Sequence, residues 1–297
     1  MNTHTFVLLD VFTEIPLTGN PLAVLPEADG LDDRTRQALA REFNFSETTF
    51  VASPRDHRAT RRLRSFSPVA EVFGAGHNAL GAWWAVVAGG QVSLQKSGTL
   101  WQELGDQVLP VEVTVDAAGL SRIAMTQATL RESRTTPERM ALARALLIDE
   151  DVLNVPALEP CVVSTGATTH LLVPVRRLAD LARVHVDAEM LTSLVRPFGC
   201  EGCYCYCLET LDPTSVAHAR GFFPGIGIAE DPATGSAAGP LGAHLVARGM
   251  APRDEWFTIE QGDEINRRGR INVRVTGERI DVGGRCVLVG SGTLTLP

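Results

Sequence analysis

Two stretches of the chain could hold an anion, and each is a copy of the other. Arg64-Ser65-Phe66-Ser67-Pro68 leads into Gly74-Ala75-Gly76-His77-Asn78-Ala79-Leu80-Gly81-Ala82. Arg220-Gly221-Phe222-Phe223-Pro224 leads into Asp231-Pro232-Ala233-Thr234-Gly235-Ser236, and the run ends at Leu241-Gly242-Ala243. The prolines lie 156 residues apart and the Leu-Gly-Ala phrases 161, so the second copy carries five extra residues in its loop. A glycine-rich loop that opens a helix leaves backbone N–H groups without helical partners, and the helix dipole adds partial positive charge there. Two such starts facing each other would grip a carboxylate, sulfate or phosphate from both sides. Titratable side chains stand in both loops, His77 in the first and Asp231 in the second. Glu47, in Asn44-Phe45-Ser46-Glu47-Thr48-Thr49-Phe50, is a further candidate. Taken singly, each has an ordinary reading: Glu47 as a turn carboxylate, His77 as a helix-start donor, Asp231 as a turn or N-cap residue.

The elements that must position these residues follow the same duplication. A period of half the chain indicates two similar domains rather than a solenoid. The expected boundaries are 1–128, with the last strand 285–297 able to join it, and 129–284. The turning point is placed in Ala128–Pro137, a polar stretch without a strand pattern. Strand patterns dominate, among them Thr5–Val11, Thr48–Ala52, Thr60–Phe66, Val108–Val115, Arg122–Gln127, His170–Val175, Cys203–Leu208, Ser215–Phe223, Trp256–Gln261 and Arg285–Leu296. Helical patterns fall at Asp32–Phe43, His77–Val87, Thr136–Leu147, Leu178–Val184, Asp187–Val195 and Ser236–Arg248, with Gly89 and Gly249 closing the two apolar ones. Strands do not alternate one-for-one with helices, which disfavours a doubly wound parallel sheet. The expected class is α+β, two similar domains, each an antiparallel sheet around a central helix.

Composition narrows the partners. The chain has 297 residues, 44% hydrophobic and 21% charged, with a formal net charge of −8. Nucleic acid and anionic membrane need a basic stripe and are not expected. The single basic cluster, Arg58 to Arg64, reads as a solvated strand or loop. The N-terminus lacks the basic n-region of a signal peptide and reads as a first strand, consistent with a cytoplasmic protein. Phe73 to Gly90 lacks formal charge but contains His77, Asn78 and five glycines, and fits a buried central helix better than a membrane span. Of six cysteines, Cys203, Cys205 and Cys207 alternate with Tyr204 and Tyr206 on a strand, and core packing suits them better than zinc. Gly74-x-Gly76-x-x-Ala79 lacks the preceding strand and following acid of a dinucleotide fold. Neither loop continues into a P-loop, and Thr234 stands where a nucleophile elbow needs glycine.

Together these residues resemble the phenazine-biosynthesis isomerase-like (PhzF-like) family, related in fold to diaminopimelate epimerase. The likeness runs nearly the whole length. It rests on Thr18-Gly19-Asn20-Pro21, Phe45-Ser46-Glu47-Thr48-Thr49-Phe50, Arg64 to Pro68, Gly76-His77, Glu230 to Gly239, Gln261-Gly262 and the closing Val282 to Gly292. It implies a barrel-like sheet around a central helix in each domain, a site in the cleft between them, and no cofactor or metal. It implies Glu47 as the proton-carrying carboxylate, with His77 and Asp231 as its catalytic companions. Asn20, Ser46, Gly76, Gly235 and Ser236 are the implied substrate contacts. Related epimerases use a cysteine pair; Ala75 stands at the first cysteine position and Asp231 at the second. The chain departs from the family pattern at Val72-Phe73-Gly74-Ala75 and at Asn78, where the family usually has proline.

The chemistry implied is proton transfer. Moving a proton beside a carboxylate or conjugated system builds negative charge on oxygen, which fixed helix-start donors stabilise without reorganising. Burial in an apolar site raises a carboxylate toward neutrality and makes it a better base. One shuttling residue gives an isomerase, whereas two on opposite faces give an epimerase or racemase, here Glu47 with Asp231. A non-catalytic small-anion binder on the same scaffold is the third reading. The expected partner is a small carboxylate-bearing substrate, and a second copy of the chain is a candidate partner in a homodimer.

Overall fold

The computed structural model describes residues 2–74, 76–94, 96–165 and 168–296. It is a mixed α/β structure rich in sheet, with few helices. Its internal contacts divide it into two compact units, Met1–Thr126 with Gly283–Pro297, and Gln127–Val282.

In the first unit the strands are β1 (Asn2–Val11), β2 (Asn20–Leu25), β3 (Thr48–Ala52), β4 (Arg61–Phe66), β5 (Glu71–Val72), β6 (Gly98–Leu104), β7 (Gln107–Asp116) and β8 (Gly119–Gln127). β1 pairs antiparallel with β2, β2 runs parallel to β3, and β3 is antiparallel to β4. β4 takes β5 antiparallel on one side and β6 parallel on the other, and β6 and β7 continue antiparallel to β8. Two helices belong here, α1 (Asp33–Phe43) and α2 (His77–Ala88).

In the second unit the strands are β9 (Arg131–Ser133), β10 (Cys161–Ser164), β11 (Thr169–Pro174), β12 (Cys203–Cys207), β13 (Ser215–Phe223), β14 (Ile228–Asp231), β15 (Trp256–Gln261) and β16 (Gly269–Thr276). β17 (Arg279–Gly284) follows, and β18 (Cys286–Leu296) lies antiparallel to β1 in the first unit. The pairing repeats the first unit's: β10 antiparallel to β11, β11 parallel to β12, β12 antiparallel to β13. β13 likewise takes β14 antiparallel and β15 parallel. The helices are α3 (Arg139–Ala145), α4 (Leu178–Leu181), α5 (Ala188–Val195) and α6 (Gly235–Ala247).

Small residues let the two apolar helices approach their strands. A Cβ on Gly81 would stand 2.5 Å from Leu22 and 2.8 Å from Val11, and one on Gly242 2.6 Å from Val273. The glycine of each Leu-Gly-Ala phrase is therefore a point of close helix–strand contact. α2 packs on β1, β2, β3 and β4, and α6 on β16. The repeated R-x-F phrase also has a physical cause. Arg64 stacks over Phe66 at 5.2 Å and Arg220 over Phe222 at 4.9 Å. Each guanidinium forks onto a glutamate just ahead of the loop, Arg64 onto Glu71 and Arg220 onto Glu230.

Several sequence expectations change. The sheets are mixed, not antiparallel, because each unit holds two parallel pairs. The polar stretch after Ala128 contains β9, which pairs with β10. The chain also forms strands at Gly98–Leu104 and Arg279–Gly284, where no strand is expected from sequence. Leu178–Val184 forms only the single turn α4, and Thr136–Leu147 shortens to α3. At the end of α2 it is Gly90, φ +75°, that takes the left-handed conformation, one residue past Gly89. The Arg58–Arg64 cluster is not simply solvated. Arg62 pairs with Glu103 at 3.4 Å, Arg64 with Glu71 and Asp33, and both arginines are largely covered. The six cysteines are buried free thiols, with Cys200, Cys203, Cys205 and Cys207 in the second unit's core beside Leu171, Val173 and Phe222.

Candidate active site

Local structure explains where Glu47 stands. α1 begins on Asp32, whose carboxylate accepts from the Thr35 amide, and ends on Asn44 in the left-handed region at φ 53°. Asn and Asp tolerate that conformation better than other side-chain-bearing residues. The turn sends the chain through Phe45-Ser46-Glu47 directly into β3, whose first residues, Thr48 and Thr49, are fully buried. Glu47 is thus held at the head of a central strand.

His77 is the first residue of α2, and Gly76 is its N-cap. The imidazole lies between Ser46 and Glu47: Nε2 is 3.5 Å from the Ser46 hydroxyl, and Nδ1 is 4.0 Å from Glu47 Oε2. Burial pushes the His77 imidazole down to about 4, so it is neutral at neutral pH. Four sequence-predicted residues, Ser46, Glu47, Gly76 and His77, therefore meet at one helix start. Asn20 is buried at the head of β2, the strand alongside β3.

Part of the first helix start is satisfied from within. Asn78 Oδ1 accepts from the Gly76 amide at 2.7 Å and the Ala79 amide at 2.8 Å, while Asn78 Nδ2 donates to the Gly74 carbonyl at 3.0 Å. The Gly76 amide, expected to meet an external anion, thus has an internal acceptor in Asn78. Ala75, the residue at the epimerase cysteine position, lies outside the described residues.

In the second unit Asp231, Gly235 and Ser236 gather at the start of α6. Asp231 ends β14 and is buried, and the Thr234 hydroxyl donates to its Oδ2 at 2.5 Å. Gln261 braces the turn: its Nε2 donates to the Asp231 carbonyl at 2.7 Å, and its Oε1 accepts from the Thr234 amide at 2.9 Å and the Tyr204 hydroxyl at 2.8 Å. Gln127 Nε2 donates to the Gly235 carbonyl at 2.9 Å. Gly235 and Ser236 supply first-turn amides, which have no acceptor within the helix itself.

Sequence reasoning did not single out Thr234, Tyr204, Gln127 or His170, and it noted Gln261 only as part of the family pattern. A signal for Gln261 existed in Gly262. That residue has φ +84°, and a Cβ there would stand 2.5 Å from both the Pro232 and Arg267 carbonyls, so the Gln-Gly pair is pinned against the loop. Among the described residues no cluster of His, Cys, Asp and Glu has the form of a metal site. No helix of the described residues is long and apolar enough to cross a membrane.

Residues 9–292 match the family described as phenazine biosynthesis-like protein (PhzC-PhzF). The chain belongs to this family. A trans-2,3-dihydro-3-hydroxyanthranilate isomerase of Pseudomonas chlororaphis is 32% identical to it, over 99% of this chain and 100% of the relative. The crystal structure of a Bacillus anthracis phenazine biosynthesis protein of the PhzF family is similar with a TM-score of 0.91 and 29% identity, covering all of both chains. The structure of a predicted epimerase from Pseudomonas aeruginosa gives a TM-score of 0.82 and 32% identity, over 99% of this chain and 100% of that one. Membership of this phenazine biosynthesis-like family makes the chain an enzyme of the isomerase class.

Proposed function

We propose that the chain is a cofactor-independent isomerase that moves a proton between carbons of a small carboxylate-bearing substrate. Glu47 takes the proton as the C–H electron pair shifts into the substrate's conjugated system, and returns it to a second carbon. His77 and Asp231 assist, and Asn20, Ser46, Gly76, Gly235 and Ser236 contact the substrate. The observation that carries this reading is the Glu47–His77 pair. Its imidazole is neutral, so His77 itself does not hold the carboxylate in an ion pair. The first turn of α6 supports carboxylate binding more strongly than α2, whose Gly76 amide is already used by Asn78. Asp231 accepts a short bond from Thr234, which holds it in place and lowers its value as a second base, so the single-shuttle reading is favoured over the epimerase one.

The relative from Pseudomonas chlororaphis supplies the test compound, trans-2,3-dihydro-3-hydroxyanthranilate. In heavy water the chain should place deuterium on the carbon that receives the proton. Glu47→Gln keeps shape and hydrogen bonding but removes the basic oxygen, so binding should survive while exchange falls at least about a hundredfold. Exchange at the wild-type rate in Glu47→Gln would sink the assignment and leave Asp231 as the leading base. Inversion at one carbon, in place of transfer between two, would favour the epimerase.

A further inference from the structure

Ser236 is the only residue of 235–246 that is not buried, and a histidine stands behind it. His170, on β11, is 2% exposed, and its Nε2 lies 3.2 Å from Ser236 Oγ. The ring is fixed by an edge-on contact with Phe223, centroids 5.3 Å apart at 63°. Its other nitrogen, Nδ1, is buried and meets no hydrogen-bond partner among the described residues.

That asymmetry selects the tautomer. A neutral imidazole carries one N–H and one bare lone pair. An orphaned buried N–H is rarer than an under-satisfied acceptor, so the proton belongs on Nε2, where Ser236 Oγ can receive it. Burial pushes His170 down to about 4, which keeps the ring neutral at neutral pH and avoids a second, unpartnered N–H on Nδ1. Once Nε2–H donates to Oγ, the hydroxyl proton of Ser236 must find an acceptor outside the pair.

We infer that His170 is a positioning residue that commits the Ser236 hydroxyl to donate to an anionic ligand oxygen at the first turn of α6. The hydroxyl then joins the amides of Gly235 and Ser236 in an all-donor array, which accepts a carboxylate and disfavours a carboxamide, whose NH₂ would face donors. This rests on the reading of Ser236 as a substrate contact.

Two measurements test it. Long-range 1H–15N correlation of the ring should show His170 as the neutral Nε2–H tautomer from pH 6 to 8; an Nδ1–H tautomer or an imidazolium there would overturn the inference. Calorimetric titration with anthranilate, an aromatic carboxylate without an exchangeable ring-carbon proton to lose, gives the second readout. His170→Leu should weaken binding about tenfold, as for loss of one oriented bond to a charged group. His170→Gln, which can present an amide N–H to Oγ, should recover most of that loss. In a Ser236→Ala background, His170→Leu should cost nothing more. Equal losses in both backgrounds, no recovery by glutamine, or no anthranilate binding by the unaltered chain would overturn the inference. Failure of the proton-transfer reading shows separately, as deuterium exchange that survives Glu47→Gln.

Discussion

The two copies of the strand–loop–helix phrase share a frame and differ at the residues that carry charge. Register makes the comparison residue by residue: Thr49 faces Ser65 where Tyr204 faces Gly221, and Arg62 faces Glu103 where His218 faces Glu260. By the same pairing, Val72 opposite Ser65 corresponds to Asp231 opposite Gly221. The residue before β3 is Glu47, while the residue before β12 is Gly202, where a Cβ would meet the Phe222 carbonyl at 1.9 Å. Each copy therefore offers a carboxylate, from a position that is uncharged in the other. The helix starts differ too. Counted back from Leu-Gly-Ala, α6 begins three residues earlier than α2, and the amide of Gly76, ahead of α2, is capped by Asn78. A duplicated scaffold has kept its packing devices and diversified its ends.

Removing the repeated arginine should break the symmetry of the frame most severely. Arg220 forks onto Glu230 at 2.8 Å twice and also donates to the carbonyls of Leu181 and Val184 at 2.9 Å, in a nearly closed environment. Arg220→Met leaves a covered carboxylate and orphaned carbonyls, and should cost about 3–5 kcal/mol. Arg64 pairs with Glu71, which is more open, and with the exposed Asp33, so Arg64→Met should cost about 1–3 kcal/mol, since water can reach the abandoned acids. Hydrogen-exchange mass spectrometry on both variants gives the two values unit by unit. Equal losses would mean that burial does not distinguish the copies.

The same comparison shows what a sequence can carry. Arg-x-Phe and Leu-Gly-Ala were legible because stacking and close approach leave few residue choices, so both copies kept the same letters. The roles given to Glu47 and Asp231 came only from the family resemblance, since the two acids occupy unlike positions in the two copies. The second ion-pair repeat was not read. Glu103 accepts from the amides of Arg55 and Asp56, Glu260 from those of Leu211 and Asp212, and each lies against the cation opposite it. A buried carboxylate that caps a loop leaves no periodic mark, and replacing arginine by histidine hides the homology. β6 escaped for a related reason: Gln102 and Glu103 lie buried within it, Gln102 accepting from Trp83 Nε1 at 3.0 Å, so it lacks a strand's usual alternation. His170 showed nothing in sequence beyond an apolar strand.

Because that cation is arginine in one copy and histidine in the other, only the second unit should soften in mild alkali. His218 is fully buried, with Nδ1 and Nε2 each 2.9 Å from a carboxylate, Glu260 and Glu264. Burial opposes its charge, but the bonds to the two glutamates outweigh this and raise it from 6.5 to about 9. A raised folded-state value gives stability that is fully present below pH 6.5 and lost as pH rises through 9. The loss approaches about 3 kcal/mol, roughly three-hundredfold in opening. Arg62 stays charged across that window. Exchange protection of β13 and β15, corrected for intrinsic rates, should therefore fall between pH 6.5 and 9 while that of β4 and β6 holds. A parallel decline in both would refute the assignment of the charge to His218.

The smallest expected effects come from exchanging the residues that differ at one registered position. Ser65 donates to or accepts from Thr49 at 2.9 Å, so Ser65→Gly should lose about 1 kcal/mol for that buried bond and some strand propensity. Gly221→Ser runs the other way and should cost more, about 1–3 kcal/mol, because it overfills a closed space. Its Cβ would stand 2.8 Å from Phe223, 2.9 Å from Thr234 Oγ1 and 3.1 Å from Gln261 Nε2. Those last two atoms hold Asp231 and the start of α6. Gly221→Ser should therefore disturb the amides of Thr234 and Gly235 in a 15N correlation spectrum, whereas Ser65→Gly leaves those of Gly76 and His77 near their original positions, since Asn78 holds that loop from within. Shifts of equal size at both helix starts would mean that the glycine at 221 serves strand pairing alone, and that the polar brace of Tyr204, Gln261 and Thr234 does not depend on the room it leaves.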